Sequence, residues 1–186
     1  MADVSVAILT GGNSSRFGQS KQLHEIEGKP LFMACYEKFL RLSDDVFLQG
    51  EFEGAGVDTR EDLVTGKGPL GGIYSALKNA RHERVLVIAC DMPHIDSRIL
   101  NLLLAHDAEL VVPRWRNGYL EPLCSVYSKK HAREIEEMLE EGTLKISRLF
   151  QRVEGIKFPT IENWIESGLI SAECFYNMNE LRDPLG

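Results

Sequence analysis

Residues 6–23, VAILTGGNSSRFGQSKQL, break a hydrophobic run with paired glycines, paired serines, an arginine and a lysine. Gly11 and Gly12 have no Cβ, so a ligand can come close to their amides. Amides presented this way bind phosphate oxygens or a base edge. Ser14 and Ser15 add hydroxyl donors. Arg16 offers a planar fork suited to phosphate, and Lys21 a mobile point charge. Two such cations, on a loop after a buried strand, can embrace a polyphosphate. The same residues also fit an ordinary glycine-rich turn with solvated charges. The loop matches neither the Walker A pattern nor G-x-G-x-x-G, which argues against a P-loop NTPase or a dinucleotide dehydrogenase.

Two further stretches could carry chemistry. In IACDMP, Asp91 follows an apolar run and Pro93 then stops the ladder. A carboxylate there faces a ligand crevice and could hold Mg²⁺, which takes carboxylates plus phosphate oxygens. It could equally cap a turn. In GKGPLGGIYSALKNA, Gly68, Gly71 and Gly72 surround a predicted helix start. Free amides at such a start can bind an anion, and glycines there also permit close packing. The five histidines, His24, His82, His94, His106 and His131, are scattered. Only His94 lies beside one of these stretches.

Elements must bring these residues together. Residues 4–9 read as a buried strand ended by glycines. Residues 30–42 read as a helix with Pro30 in its first turn. Strands follow at 45–50, 84–90 and 108–113, with helices at 68–80 and 96–106. Asp96 or Ser97 is expected to cap the second of these helices. Beyond Pro113 come a turn and strand (117–128), an amphipathic helix ending at Gly142 (129–142) and a shorter helix (143–152). A strand with Gly155 as a bulge or bend (152–158) precedes a short apolar piece and a polar tail. This alternation predicts a Rossmann-like α/β fold, a mostly parallel sheet with helices on both faces, as one domain over residues 1–186. Ligands in such sheets bind beyond the carboxyl ends of the strands, where the Gly11–Gly12 loop, Asp91 and residues 177–179 fall.

Composition sets limits. A net charge of −7 argues against nucleic acid, so an anionic substrate needs a local cation cluster such as Arg16 with Lys21. Cys35, Cys90, Cys124 and Cys174 lack metal-ligand spacing and read as reduced, and two of them lie in apolar strand-like runs as small buried hydrophobes. The N-terminal apolar run carries Asp3 instead of a basic lead-in, and no run approaches the ~20 residues that span a bilayer. A cytoplasmic protein with no membrane partner is expected.

The stretch LTGGNSSRFGQSK resembles the L-x-G-G-x-S-x-R-x-G-x-x-K signature of the molybdenum cofactor guanylyltransferase family, the MobA-like nucleotidyltransferases. The resemblance continues in order through GKPLF, GPLGGIYSAL, CDMP, EPL and a terminal N-x-N. It implies a sheet of the glycosyltransferase-A, or nucleotide-diphospho-sugar transferase, type. The implied reaction is Mg²⁺-dependent transfer of GMP from GTP to the phosphate of molybdopterin or its molybdenum form, with release of pyrophosphate. By the same resemblance Leu9, Thr10 and Gly11 line the guanine and ribose; Gly12, Ser14 and Gly71, from their own amides and hydroxyl, join the expected nucleotide site. Lys21 contacts the triphosphate with help from Arg16. Gln49 and Asp62 help bind the nucleotide, Asp91 binds Mg²⁺, and Asn179 is a second metal-side residue. The catalytic set is therefore Arg16, Lys21 and Asp91. The chain departs from the family pattern at Thr10, where alanine is usual, and at Gln49, where asparagine is common. It also lacks the Thr-Pro that usually follows N-x-N.

A phosphate monoester nucleophile is already ionised at neutral pH, so positioning and charge neutralisation carry the expected reaction. On the acceptor side, Arg114, Trp115, Arg116 and Tyr119 could cradle a pterin and its phosphate. Alternatively Trp115 simply covers core. Glu121, in EPL, matches a family motif without a derivable role. Two other functions fit less of the sequence: a CTP-using sister enzyme with a phosphorylated acceptor, and a GTP-binding adaptor without turnover. The Gly-Gly pair and Arg16-Phe17-Gly18 favour GTP, and Asp91 favours catalysis. Molybdopterin-loading proteins and target molybdoenzyme apoproteins are the partners implied.

Overall fold

A computed structural model describes residues 3–10, 25–26, 29–50 and 56–176. The chain opens with β1 (Val4–Leu9), buried throughout. A small antiparallel hairpin, β2 (Glu25–Ile26) and β3 (Lys29–Pro30), leads into α1 (Leu31–Phe39). Then come β4 (Val46–Gln49), β5 (Thr59–Arg60), α2 (Gly68–Asn79), β6 (Arg84–Ala89) and α3 (Arg98–Leu104). The later elements are β7 (Leu110–Val111), β8 (Cys124–Ser128), α4 (Ala132–Glu140), β9 (Ile156–Lys157) and α5 (Ile161–Glu166).

Seven strands form one sheet in the order β5-β4-β1-β6-β8-β7-β9. Pairings from β5 to β6, and between β7 and β9, are parallel; β8 is antiparallel to β6 and β7. The alternation of strand side chains divides the core in two. Val4, Val6 and Ile8 of β1 face α1, α3 and α5, with Phe32, Phe39, Ile99 and Trp164. Ala7 and Leu9 face α2 and α4, with Leu70, Ile73, Ile135 and Met138. The expected α/β architecture, with helices on both faces, is thus present. All four cysteines are buried free thiols, the two in apolar runs as expected.

Departures from expectation are confined to short elements. Residues 146–151 form a 3-10 helix with Leu149 its one buried residue, too little apolar surface to hold a longer α-helix. The strand expected over 152–158 shrinks to β9, and Gly155 before it turns the chain at φ +69°. β5 and α5 carried no sequence signal, being two and six residues long. At the start of α3 it is Asp96 that caps: its Oδ1 accepts from the Arg98 amide at 2.8 Å. Among the described residues, no helix is long and apolar enough to cross a membrane.

Candidate active site

Parallel register fixes the site before any side chain is considered. Leu9, the last residue of β1, pairs with Gln49 of β4 on one side and Ala89 of β6 on the other. Gln49 in turn pairs with Arg60 of β5. Four strands therefore end at one edge, and the segments leaving them carry Thr10, Asp62 and Asp91. Gly11, Gly12, Ser14, Arg16 and Lys21 lie outside the described residues, as does Asn179.

Leu9 and Thr10 are buried, so their side chains face the fold. Leu9 packs on Gly72 of α2, where an added Cβ would lie 3.4 Å from Leu9 Cδ1. The Thr10 amide and hydroxyl both donate to the Gln49 carbonyl, at 2.9 and 3.0 Å. The Leu9 carbonyl accepts from the Cys90 amide at 3.1 Å. These bonds splice the ends of β1, β4 and β6 where the ladder would otherwise fray.

Gln49 and Asp62 meet. Gln49 Nε2 donates to Asp62 Oδ1 at 2.9 Å, and to the carbonyls of Glu61 at 2.9 Å and Arg60 at 3.1 Å. Its Oε1 accepts from Asn79 Nδ2 at 3.0 Å. Gln49 is only 1% exposed, so its amide is committed to holding the turn after β5. From α2, Ser75 Oγ accepts from the Leu63 amide at 2.9 Å, and Asn79 donates to the Glu61 carbonyl at 3.1 Å. Sequence reasoning passed over Ser75 and Asn79. Their signal was a stripe of Gly71, Ser75 and Asn79 at every fourth residue of α2.

Gly71 is a packing glycine. A Cβ there would lie 2.7 Å from Lys67 Cβ and 3.1 Å from Val64 Cγ2, and its amide donates to the Lys67 carbonyl at 3.4 Å. Lys67, at the N-cap of α2, makes no side-chain cap bond.

Asp91 stands in the turn after β6, partly exposed. Around it, Lys38 Nζ donates to the carbonyls of Pro93 and Ile95, and Cys35 Sγ to those of Met92 and Cys90. Burial pushes the Cys35 thiol up to about 12; the Lys38 charge opposes that rise and the Asp91 charge adds to it. Lys38 and Asp91 thus both lie within electrostatic range of this thiol. Among the described residues, no group of three or more His, Cys, Asp and Glu could hold a metal alone. One partly exposed, hard carboxylate oxygen donor at the strand ends nevertheless fits a cation shared with phosphate oxygens.

The proposed acceptor residues are largely engaged with the protein. Trp115 Nε1 donates to Glu121 Oε1 at 2.7 Å, and its ring meets Phe175 edge-on at 5.7 Å. Arg116 bonds Glu166 at 2.5 and 2.7 Å. The Arg114 guanidinium stands 5.8 Å from the Phe158 ring centroid. Tyr119 is 64% exposed. Trp115 therefore covers core, and Glu121 anchors its indole. His94 is exposed, and His82 pairs with Asp44 at 2.6 Å.

A family model described as MobA-like NTP transferase domain matches residues 6–156. A "Probable molybdenum cofactor guanylyltransferase" of Clostridium perfringens is 32% identical over 192 residues, covering 96% of this chain and 93% of that protein. A protein of the same name from Thermococcus sibiricus is 33% identical, covering 76% of this chain and 77% of its own length. The crystal structure of molybdopterin-guanine dinucleotide biosynthesis protein A from Archaeoglobus fulgidus superposes with a TM-score of 0.79 at 24% identity. That match covers 94% of this chain and 92% of the other.

Proposed function

This chain belongs to the MobA-like NTP transferase family, and from that premise we propose that it is a molybdenum cofactor guanylyltransferase acting in the cytoplasm. It transfers GMP from GTP to the terminal phosphate of molybdopterin or its molybdenum form. The acceptor phosphate oxygen forms a bond to the α-phosphorus. The bond from that phosphorus to the α,β-bridging oxygen breaks, and pyrophosphate leaves with the electron pair. The observation that carries this reading is the convergence at one sheet edge of the signature loop's origin, the Gln49–Asp62 pair and Asp91.

In this reading the nucleotide lies over the ends of β1 and β4. Leu9 and Thr10 contribute backbone, Asp62 a carboxylate aimed by Gln49, and the glycine loop its amides. Asp91 would hold a divalent cation, Mg²⁺ in our reading, with Asn179 beside it. Held there, such a cation would supply positive charge against the triphosphate oxygens. Lys21 and Arg16 stabilise the charge that grows on the departing pyrophosphate. The acceptor's phosphate needs no base, because its second ionisation lies below neutral pH. Molybdopterin-loading proteins and molybdoenzyme apoproteins are the partners this product requires.

Calorimetric titration with GTP, CTP, ATP and UTP, with and without Mg²⁺, tests the reading without the acceptor. Selective GTP binding that depends on Mg²⁺ and is lost in Asp91→Ala supports it. Selectivity for CTP moves the enzyme to the cytidylyl branch, and no binding at all sinks the proposal.

A further inference from the structure

The turn that carries Asp91 is tied down by side chains of α1. On α1, Lys38 Nζ donates to the Pro93 carbonyl at 2.7 Å and to the Ile95 carbonyl at 2.9 Å. One helical turn earlier, Cys35 Sγ donates to the Met92 carbonyl at 3.3 Å and the Cys90 carbonyl at 3.6 Å. Carbonyls on both sides of Asp91 thus accept from two side chains 55 to 57 positions away in sequence. The far end of the turn is fixed as well, because the Asp96 amide donates to Cys174 Sγ at 3.2 Å.

A lysine on a helix surface ordinarily extends its ammonium into water. Lys38 spends its ammonium on two backbone oxygens, and a bond with a charged donor is about twice as strong as a neutral one. The Cys35 thiol is protonated at neutral pH even at its ordinary value of 9.0, and burial moves it further up, so it is a donor. A turn secured at four carbonyls has little freedom to swing the carboxylate it carries. Groups that orient a metal-binding side chain this way matter to affinity although they never touch the ion.

We infer that Lys38 is a positioning residue for Asp91. Its ammonium, helped by the Cys35 thiol, fixes the 90–95 turn so that the Asp91 carboxylate is presented to a divalent cation. Lys38 itself contacts neither cation nor nucleotide. This rests on the reading of Asp91 as the metal-side residue given above.

The test uses the full chain with Mn²⁺ as the probe and the nucleotide selected by calorimetry. Loss of the free Mn²⁺ paramagnetic resonance signal reports the ion held by the protein–nucleotide complex. Lys38→Met keeps the alkyl stem and removes the donor. It should weaken Mn²⁺ retention by about 10–100-fold, with metal-free nucleotide affinity unchanged. Lys38→Arg, which can still donate to both carbonyls, should recover most of the loss. Should Lys38→Met melt too low to titrate, Lys38→Leu, which also lacks a donor, serves in its place. Wild-type Mn²⁺ retention in Lys38→Met overturns the inference, and so does an equal loss of metal-free nucleotide affinity. Asp91→Asn separates the two levels. If it retains Mn²⁺ as wild type does, the metal-side reading fails and this inference with it. If it loses Mn²⁺ while Lys38→Met does not, only the role of Lys38 is overturned.

Discussion

Asp91 and Lys21 have opposite charges and complementary tasks in the proposed transfer. Each acts on charge that is larger in the transition state than in the bound substrate, so each loss should appear in kcat. Asp91→Ala and Lys21→Ala should each cost about 2.7–4 kcal/mol of transition-state stabilisation, by analogy with the loss of an oxyanion donor. Pyrophosphate release from GTP and acceptor measures this, and near-normal turnover in either variant would remove that residue from the mechanism. Gln49 belongs to a different class, because both ends of its buried amide are already bonded within the protein. Gln49→Leu strands those partners, at about 1–3 kcal/mol for a buried group left unsatisfied. It should lower the melting temperature and raise KM for GTP, since Asp62 loses its guide. If KM stays at the wild-type value while stability falls, Asp62 is not on the nucleotide.

The second helix, α2, holds the turn that bears Asp62, and its adjacent glycines should respond in opposite ways. A methyl at Gly71 would press on Lys67 Cβ at 2.7 Å, an atom anchored to backbone that cannot swing aside. Gly71→Ala should therefore destabilise by about 1–3 kcal/mol, as overpacking does. It should also raise KM for GTP by displacing the 64–67 segment. A methyl at Gly72 meets Leu9 Cδ1 at 3.4 Å, an ordinary contact. Gly72→Ala also gains up to about 1 kcal/mol of helix propensity. It should be neutral or stabilising. Thermal melts of the two variants settle this, and equal losses would mean that backbone freedom at the helix start is what both glycines supply.

Across the whole molecule, the sheet edge opposite the site is locked by one buried carboxylate. Asp45, whose side chain is fully buried, accepts from Arg60 Nη2 at 2.6 Å, Ser5 Oγ at 2.5 Å and the Arg81 amide at 2.8 Å. Asp45→Ala leaves Arg60 paired with Asp58 and the Asn79 carbonyl but strands the Ser5 hydroxyl and the Arg81 amide, so it should destabilise by about 1–3 kcal/mol. Burial alone would raise the Asp45 pKa, but the bonds from Arg60, Ser5 and the Arg81 amide outweigh it and hold the group below its ordinary 3.8. The folded chain therefore binds this proton less readily than the unfolded chain. The associated stability is fully present above pH 3.8 and is lost as the pH falls through the lower folded value. Urea midpoints between pH 6 and pH 2.5 should fall less steeply for Asp45→Asn than for wild type (a window of roughly that span brackets a depressed carboxylate). Parallel curves would show that other carboxylates govern acid unfolding.

The sequence by itself determined the layered α/β plan. Long apolar runs such as 84–90 can be buried only between two helix layers, and the glycine–cation loop and the Asp91 turn announce themselves by composition. It also determined the family, because the signature residues recur in order along the chain. The sequence did not disclose β5 and α5, whose few residues leave no period to read. Nor did it disclose which side chains serve others. Gln49, Ser75 and Asn79 converge on the 61–63 turn, and Lys38 and Cys35 on the Asp91 turn, only after parallel pairing brings distant segments together. Trp115 and Arg116 carried the signature of an aromatic and cationic cradle. Tertiary contact also joins them to Phe175, Glu121 and Glu166. Residue type declares what a side chain can bond, but its partner depends on what the fold places within about 3 Å of it, and that is decided only in three dimensions.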